Sequence, residues 1–185
     1  VISLRSLLSP FVVVALVLGA AACSSDDEQD GSSLSAAEQK EVDTLVSRSQ
    51  AQIGAEEYDD ARATLDELLE LDPGNAYGHY NLGLLEQQTG DADAATAAYD
   101  RALEVYPEFA AALYNRGVIA ETGDVETAVD YFERAVASDP EMARAHMRLG
   151  FALLHLGRKA EGEEHLATGL RLDPAMSEVT APSYG

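Results

Sequence analysis

One cysteine, at position 23, and no tryptophan occur in the 185 residues. A lone thiol cannot make an intramolecular disulfide or a multi-cysteine zinc site. Positive charge is also scarce. The chain has 12 Lys and Arg against 33 Asp and Glu, a formal net charge of −21. Nucleic acid is therefore excluded as a partner, because phosphate binding needs cationic surface, and anionic headgroups should hold the acidic part of the chain off a bilayer. No segment alternates like a strand, so no glycine-rich phosphate loop can follow one. No Ser, His and Asp set is placed for nucleophilic catalysis. Of the four histidines, His79 and His146 fall at positions where a bulky residue packs between helices, while His155 and His165 lack ligand spacing. The acidic stretches around Asp91 and Asp26 lack the twelve-residue calcium loop with its closing Glu. No metal, cofactor or catalytic residue is expected. A hydrolytic or metal-dependent enzyme is the least supported reading.

Long apolar runs are absent except at the front, where Arg5 precedes an apolar stretch from Phe11 to Ala22 and then Cys23. The run is short for a bilayer span and closes on small residues, as an export signal does. Gly19, Ala20, Ala21 and Ala22 before Cys23 resemble a bacterial lipobox, with Ala20 where Leu is usual. The resemblance implies a lipoprotein signal peptide over 1–22 and lipidation of Cys23, which would anchor the exported chain to the membrane on the extracytoplasmic side. Cleavage near Ala22 without lipidation, or an uncleaved anchor, are the other readings. Residues 23–34 then form an acidic tether without a core. Ten such residues have a reach of about 17–19 Å, and two acyl chains suffice for stable anchoring.

Six prolines occur, and Pro73, Pro107, Pro140 and Pro174 fall 34, 33 and 34 residues apart. In phase with them recur Ala61, Ala95, Ala128 and Gly162; Tyr99 and Phe132; Gly83, Gly117 and Gly150; and Gly90, Gly123 and Gly157. A period of this length predicts stacked helical hairpins. Small residues allow close helix approach, the aromatics fill the space between hairpins, and Gly90 and Gly123 suit helix ends of positive φ. Asp91 and Asp124 can cap the helices that follow, Ser35 with Glu38 reads as a capping box, and each proline ends a helix. Helices are expected near 36–53, 57–71, 75–89, 92–105, 108–122, 125–137, 141–156 and 159–172.

This pattern resembles the tetratricopeptide repeat. Repeat two carries it in His79, Leu82, Gly83, Gly90, Asp91, Ala95, Tyr99, Ala102 and Pro107. Repeat three carries it in Leu113, Gly117, Gly123, Asp124, Ala128, Phe132, Ala135 and Pro140, with Arg116 for the usual Leu and one residue fewer in its first helix. Repeat four keeps His146, Leu149, Gly150, Gly157, Leu166 and Pro174. Repeat one fits only in its second half (Tyr58, Ala61, Leu65, Leu68, Pro73). The resemblance implies an all-α fold, an α-solenoid of about four hairpins, with repeats near 42–75, 76–109, 110–142 and 143–174 inside a domain 35–174. A tail, 175–185, follows, in which no helix is expected.

Arrays of this family bind extended peptides or helices along the face lined by first helices. By register that groove holds Tyr77, Tyr80, Asn81, Leu84, Tyr114, Asn115, Val118, Arg144, Met147, Arg148 and Phe151. Asn offers donor and acceptor to a ligand backbone, and Tyr offers apolar area with a polar tip. Asn115, Arg144 and Arg148 match three positions of a family carboxylate clamp, while Tyr80 and Leu84 occupy the other two. Ser24 to Met142 holds 6 Lys/Arg and 28 Asp/Glu, but Ala143 to Pro174 holds 5 and 4, which places an interaction at the fourth repeat. The expected function is a lipid-anchored, non-catalytic module of a bacterial envelope that binds a protein or peptide partner. The alternative is a structural subunit that self-associates through the fourth repeat, where Leu166, Leu170 and Leu172 lack a covering helix.

Overall fold

Ser35 opens the first helix with the reciprocal cap that its spacing to Glu38 implies. The Ser35 hydroxyl accepts from the Glu38 N–H at 3.3 Å, and the Glu38 carboxylate accepts from the Ser35 N–H at 2.8 Å. The structure, a computed structural model, describes residues 34–184; the expected signal peptide, Cys23 and nearly all of the tether lie outside them. The helices are α1 Ala36–Gly54, α2 Tyr58–Leu71, α3 Ala76–Thr89, α4 Ala92–Val105, α5 Ala110–Ala120, α6 Val125–Ser138, α7 Ala143–His155 and α8 Lys159–Leu172. All eight expected helices are present, with ends within two residues of expectation, and no strand occurs among the described residues. They pair as α1/α2, α3/α4, α5/α6 and α7/α8, and each hairpin packs on the next to make an α-solenoid.

Inside each hairpin one contact sets the spacing. A Cβ built on Gly83 would lie 2.5 Å from the Tyr99 ring, one on Gly117 2.5 Å from Phe132, and one on Gly150 2.7 Å from Leu166. The first helix thus presents bare backbone to a large side chain of the second, and Tyr99 and Phe132 are fully buried there. The aromatics pack within their own hairpin as well as against the next. In repeat one the equivalent positions hold Ser49 and Leu65, both also fully buried. Ala61, Ala95 and Ala128 have no solvent exposure, which is how the second helices come close. Arg116, standing where Leu is usual, donates to Asp100 at 2.6 Å and lies 4.8 Å from the Tyr131 ring centre.

The turns within hairpins depart from expectation at one position. Seventeen residues before each closing proline stand Glu56, Gly90, Gly123 and Gly157. Gly90 and Gly157 have φ of 89° and 79°, and Glu56, without glycine's freedom, is forced to 61°. Gly123, expected to need positive φ, does not have it. Repeat three lacks one residue in its first helix, and α5 leaves through a right-handed turn at Glu121. Asp91 and Asp124 cap α4 and α6 as expected, accepting from Ala94 and Thr127 N–H groups at 2.9 and 3.0 Å.

Beyond Pro174, where no helix is expected, residues Pro174–Glu178 form a 3-10 turn packed on α7 and α8. Asp173 accepts from the Ala175 N–H at 2.9 Å, and proline suits the first turn. Leu166 and Leu172 are half-buried, whereas Leu170 stays exposed at 38%.

The glycine contacts give a graded expectation for thermal unfolding followed by circular dichroism. Gly117→Ala overpacks a buried ring at a cost of about 1–3 kcal/mol, against a helix-propensity gain of about 1 kcal/mol. It should lose up to about 2 kcal/mol net. Gly123→Ala, with open space and ordinary φ, should be at least as stable as wild type. Glu56→Gly should gain about 1 kcal/mol by relieving the left-handed backbone. A Gly117→Ala protein as stable as Gly123→Ala would refute the contact as the spacer of the hairpin.

Candidate functional site

The first helices α1, α3, α5 and α7 stand at equivalent places in successive hairpins, and side chains pass between them. Asn81 of α3 donates to the Val46 carbonyl at 3.1 Å and the Ser49 hydroxyl at 2.9 Å in α1. It is buried, so its amide joins the first two repeats, where the register had placed it facing a ligand. Asn115 is half-buried and donates to the Tyr99 hydroxyl at 3.2 Å, while Tyr99 donates to Gln87 at 2.9 Å. Met147 is buried as well. Leu84 and Val118 are half-buried against core clusters, and Phe151 is half-buried.

What remains accessible on this face is aromatic and cationic. Tyr77 is 54% exposed, with its ring 5.1 Å from Phe109. Tyr80 lies 4.8 Å from Phe109 and 5.9 Å from Tyr99. Burial pushes the Tyr80 hydroxyl above its ordinary pKa, with the Arg144 charge opposing the shift. Arg144 is exposed, its guanidinium 4.7 Å from the centre of the Tyr114 ring. It forms no ion pair among the described residues.

Arg148, one turn further along α7, is differently placed. It donates to Glu121 at 2.7 Å, and the Glu121 side chain is only 4% exposed. Burial raises the Glu121 pKa, and Arg148 lowers it less than burial raises it. The two arginines of the clamp pattern therefore separate: Arg148 pairs with a buried acid, and Arg144 has no acid beside it among the described residues. Phe109 and Glu121 join the face without having been read from the register. Phe109 was legible as an apolar residue two places after Pro107, but Glu121 follows a helix end that the shortened repeat displaced.

Three of the histidines, His79, His146 and His165, make internal hydrogen bonds. His79 and His146 each hydrogen-bond the carbonyl of the proline six residues before, Pro73 at 2.9 Å and Pro140 at 3.2 Å. A carbonyl only accepts, so these Nε2 atoms carry hydrogen. The His146 Nδ1 is then an acceptor, and it lies 2.9 Å from Nδ1 of His165, which must donate. Among the described residues no group of three or more His, Cys, Asp or Glu could hold a metal ion, and no helix is long and apolar enough to cross a membrane.

A family model described as tetratricopeptide repeat matches residues 47–102, 80–123 and 120–177. Among solved structures, the Pseudomonas aeruginosa protein pilF is similar, with a TM-score of 0.68 and 24% identity over 75% of this chain and 64% of its own. YrrB, described as having an unusual peptide-binding site, gives 0.64 and 23% over 77% and 74%. MamA from Desulfovibrio magneticus gives 0.60 and 21% over 76% and 80%. At these identities the likeness is one of fold. Among curated proteins none matches the chain.

The histidine pair predicts a pH effect. Burial, and then the neighbouring His146, lower the His165 pKa from its ordinary value, while Glu164, Glu133 and Glu161 oppose the shift. A depressed folded pKa means that its contribution is present above the unfolded value and lost as pH falls through the folded one. Between pH 7 and pH 5 the unfolding midpoint of wild type should fall relative to that of His165→Leu. Parallel profiles would show that His165 does not titrate with folding.

Proposed function

Because the chain belongs to the tetratricopeptide repeat family, we propose that it is a non-catalytic binding module that holds an extended protein or peptide segment on its first-helix face, at the extracytoplasmic side of a bacterial membrane. The observation that carries the binding reading is the accessible set Tyr77, Tyr80, Tyr114 and Arg144. Three phenol rings give apolar contact with polar tips, and Arg144 supplies an uncompensated cation in a protein of net charge −21. A carboxylate or other acceptor on the partner would pair with Arg144, while the surrounding acidity would disfavour partners that are acidic throughout. The YrrB likeness supports the reading only through shared fold. The location is supported by Arg5, the apolar run Phe11–Ala22 and Cys23, with an acidic tether behind them.

Two experiments test these halves separately. The full chain, solubilised in detergent and immobilised, should retain an envelope partner that Arg144→Glu loses, since the variant replaces attraction by repulsion on α7 of the face. Capture unchanged by Arg144→Glu would place the interface elsewhere. For the anchor, metabolic labelling with a radioactive fatty acid should mark the wild-type chain, and Cys23→Ser should abolish both label and membrane retention. An unlabelled wild type would leave export without lipidation.

A further inference from the structure

The segment after the last hairpin returns to the face just described. The 3-10 turn Pro174–Glu178 packs beside α7 and α8, and Val179 then leaves in extended conformation. The six residues Val179 to Tyr184 are enough chain to span roughly 20 Å at about 3.3 Å each when extended. This is also the length of the 13-residue α7. Tyr184 accordingly reaches the far end of that helix, where its ring lies 4.4 Å from His155. Its hydroxyl is 3.2 Å from Oε1 of Glu121, across 63 residues of sequence, and its ring packs against the cluster that contains Phe132, Leu149 and Leu153.

With Tyr184 in place, its hydroxyl meets a carboxylate that another repeat also holds. Glu121 is 95% buried by residue exposure, and Arg148 holds its Oε2 at 2.7 Å. Its Oε1 faces the incoming hydroxyl. A buried carboxylate oxygen requires a donor, and a phenol brings one together with an aromatic body for the apolar floor. Burial and the neighbouring Glu121 carboxylate raise the Tyr184 pKa, so the hydroxyl keeps the proton that it donates.

The rest of the segment is loosely held. Val179, Thr180, Ala181 and Ser183 are exposed, and Pro182 is half-buried. Among the described residues no backbone hydrogen bond holds 180–184, and the Tyr184 hydroxyl makes the segment's one side-chain hydrogen bond. A strap fixed at one side chain opens readily, because ordering its backbone opposes closure.

Resting on the binding reading above, we infer that the Glu121–Arg148–His155 seat is a tyrosine-recognising subsite of the first-helix face, and that Tyr184 fills it in cis as a built-in competitor. The partner's chemistry follows from the occupant: an extended, uncharged segment with a tyrosine, like the Val179–Tyr184 run itself. Closure lowers the partner's apparent affinity in proportion to the open fraction.

The test uses a fluorescein-labelled peptide with the sequence of Val179–Gly185, titrated against the full chain in detergent and read by anisotropy. Tyr184→Ala should bind it about tenfold or more tightly than wild type, as expected if the seat is open a tenth of the time or less. A labelled peptide with Phe for Tyr should bind Tyr184→Ala more weakly than the Tyr peptide. Thermal unfolding at wild-type temperature would show that Tyr184→Ala remains folded; should it not, Tyr184→Phe must show the same ordering with a smaller gain. Equal affinity of wild type and variants, or no binding by any, overturns the subsite. Equal binding of the Phe and Tyr peptides overturns recognition of the hydroxyl. A wild-type dimer by light scattering that Tyr184→Ala dissolves would place a second copy's tyrosine in the seat and overturn closure in cis. Partner capture that needs Arg144, with no peptide binding, would sink the subsite and leave the binding face standing. Peptide binding with capture indifferent to Arg144 would do the reverse.

Discussion

Close contact between a bare stretch of backbone and a bulky side chain sets the distance between the helices of each hairpin, and the stacking follows from it. With glycine at 83 and 117 the opposing residue is Tyr99 or Phe132, with Gly150 it is Leu166, and repeat one has buried Ser49 and Leu65 at the equivalent positions. Size on one helix is traded for size on the other. In repeat four the trade goes furthest, because a Cβ on Gly162 would meet the Gly150 carbonyl oxygen at 2.9 Å. Because each repeat buries its ring or leucine between neighbours, no hairpin has a complete core alone. The packing must propagate along the array, which explains how a chain with one cysteine is ordered without covalent staples.

Once that spacing is fixed, polar side chains join neighbouring repeats. Asn81 ties α3 to α1, and Asn115 reaches back from α5 to Tyr99 of α4. Arg148 reaches back from α7 to Glu121, and within repeat four His146 ties α7 to His165 of α8. These residues have the composition of a binding surface, yet much of their hydrogen-bonding capacity is already used. An amide or guanidinium whose donors are satisfied internally gains little from a ligand, because binding would exchange one hydrogen bond for another. The binding capacity of the face therefore resides in what the joints leave over, and Arg144, stacked on Tyr114 without an acid, is the clearest remainder.

That division explains what the sequence could reveal. Helix number, ends and caps follow from local rules repeated four times, so periodicity exposes them: proline at the close, aspartate at 91 and 124, glycine at 90 and 157. Repeat three shows where local rules stop. Its missing residue keeps Gly123 in register with Gly90, but the deletion shortens α5 and changes how the chain turns, so the glycine has no positive φ to supply. The face was legible as a set of positions and not as a set of free groups. Register places Arg144 and Arg148 on one side of α7 equally well, and only the position of Glu121 distinguishes them. Tyr184 lies outside the period, so nothing in the repeat pointed to it.

The charge pattern connects these levels. Twenty-eight acids against six bases from Ser24 to Met142 make the tether and first three repeats a poor place for an acidic ligand. Within Ala143–Pro174 the balance is near even, and α7 carries two of the five bases. One of them is spent on Glu121, which burial alone would push toward protonation. The same Arg148 opposes that push and leaves Glu121 a better acceptor for a hydroxyl. A leucine in its place could fill similar volume but would leave Glu121 an isolated acid, raising its pKa further and weakening it as an acceptor. The structural ion pair and the polar end of the tyrosine seat are thus one arrangement, in which stabilising the joint between repeats three and four also prepares a surface that selects a donor.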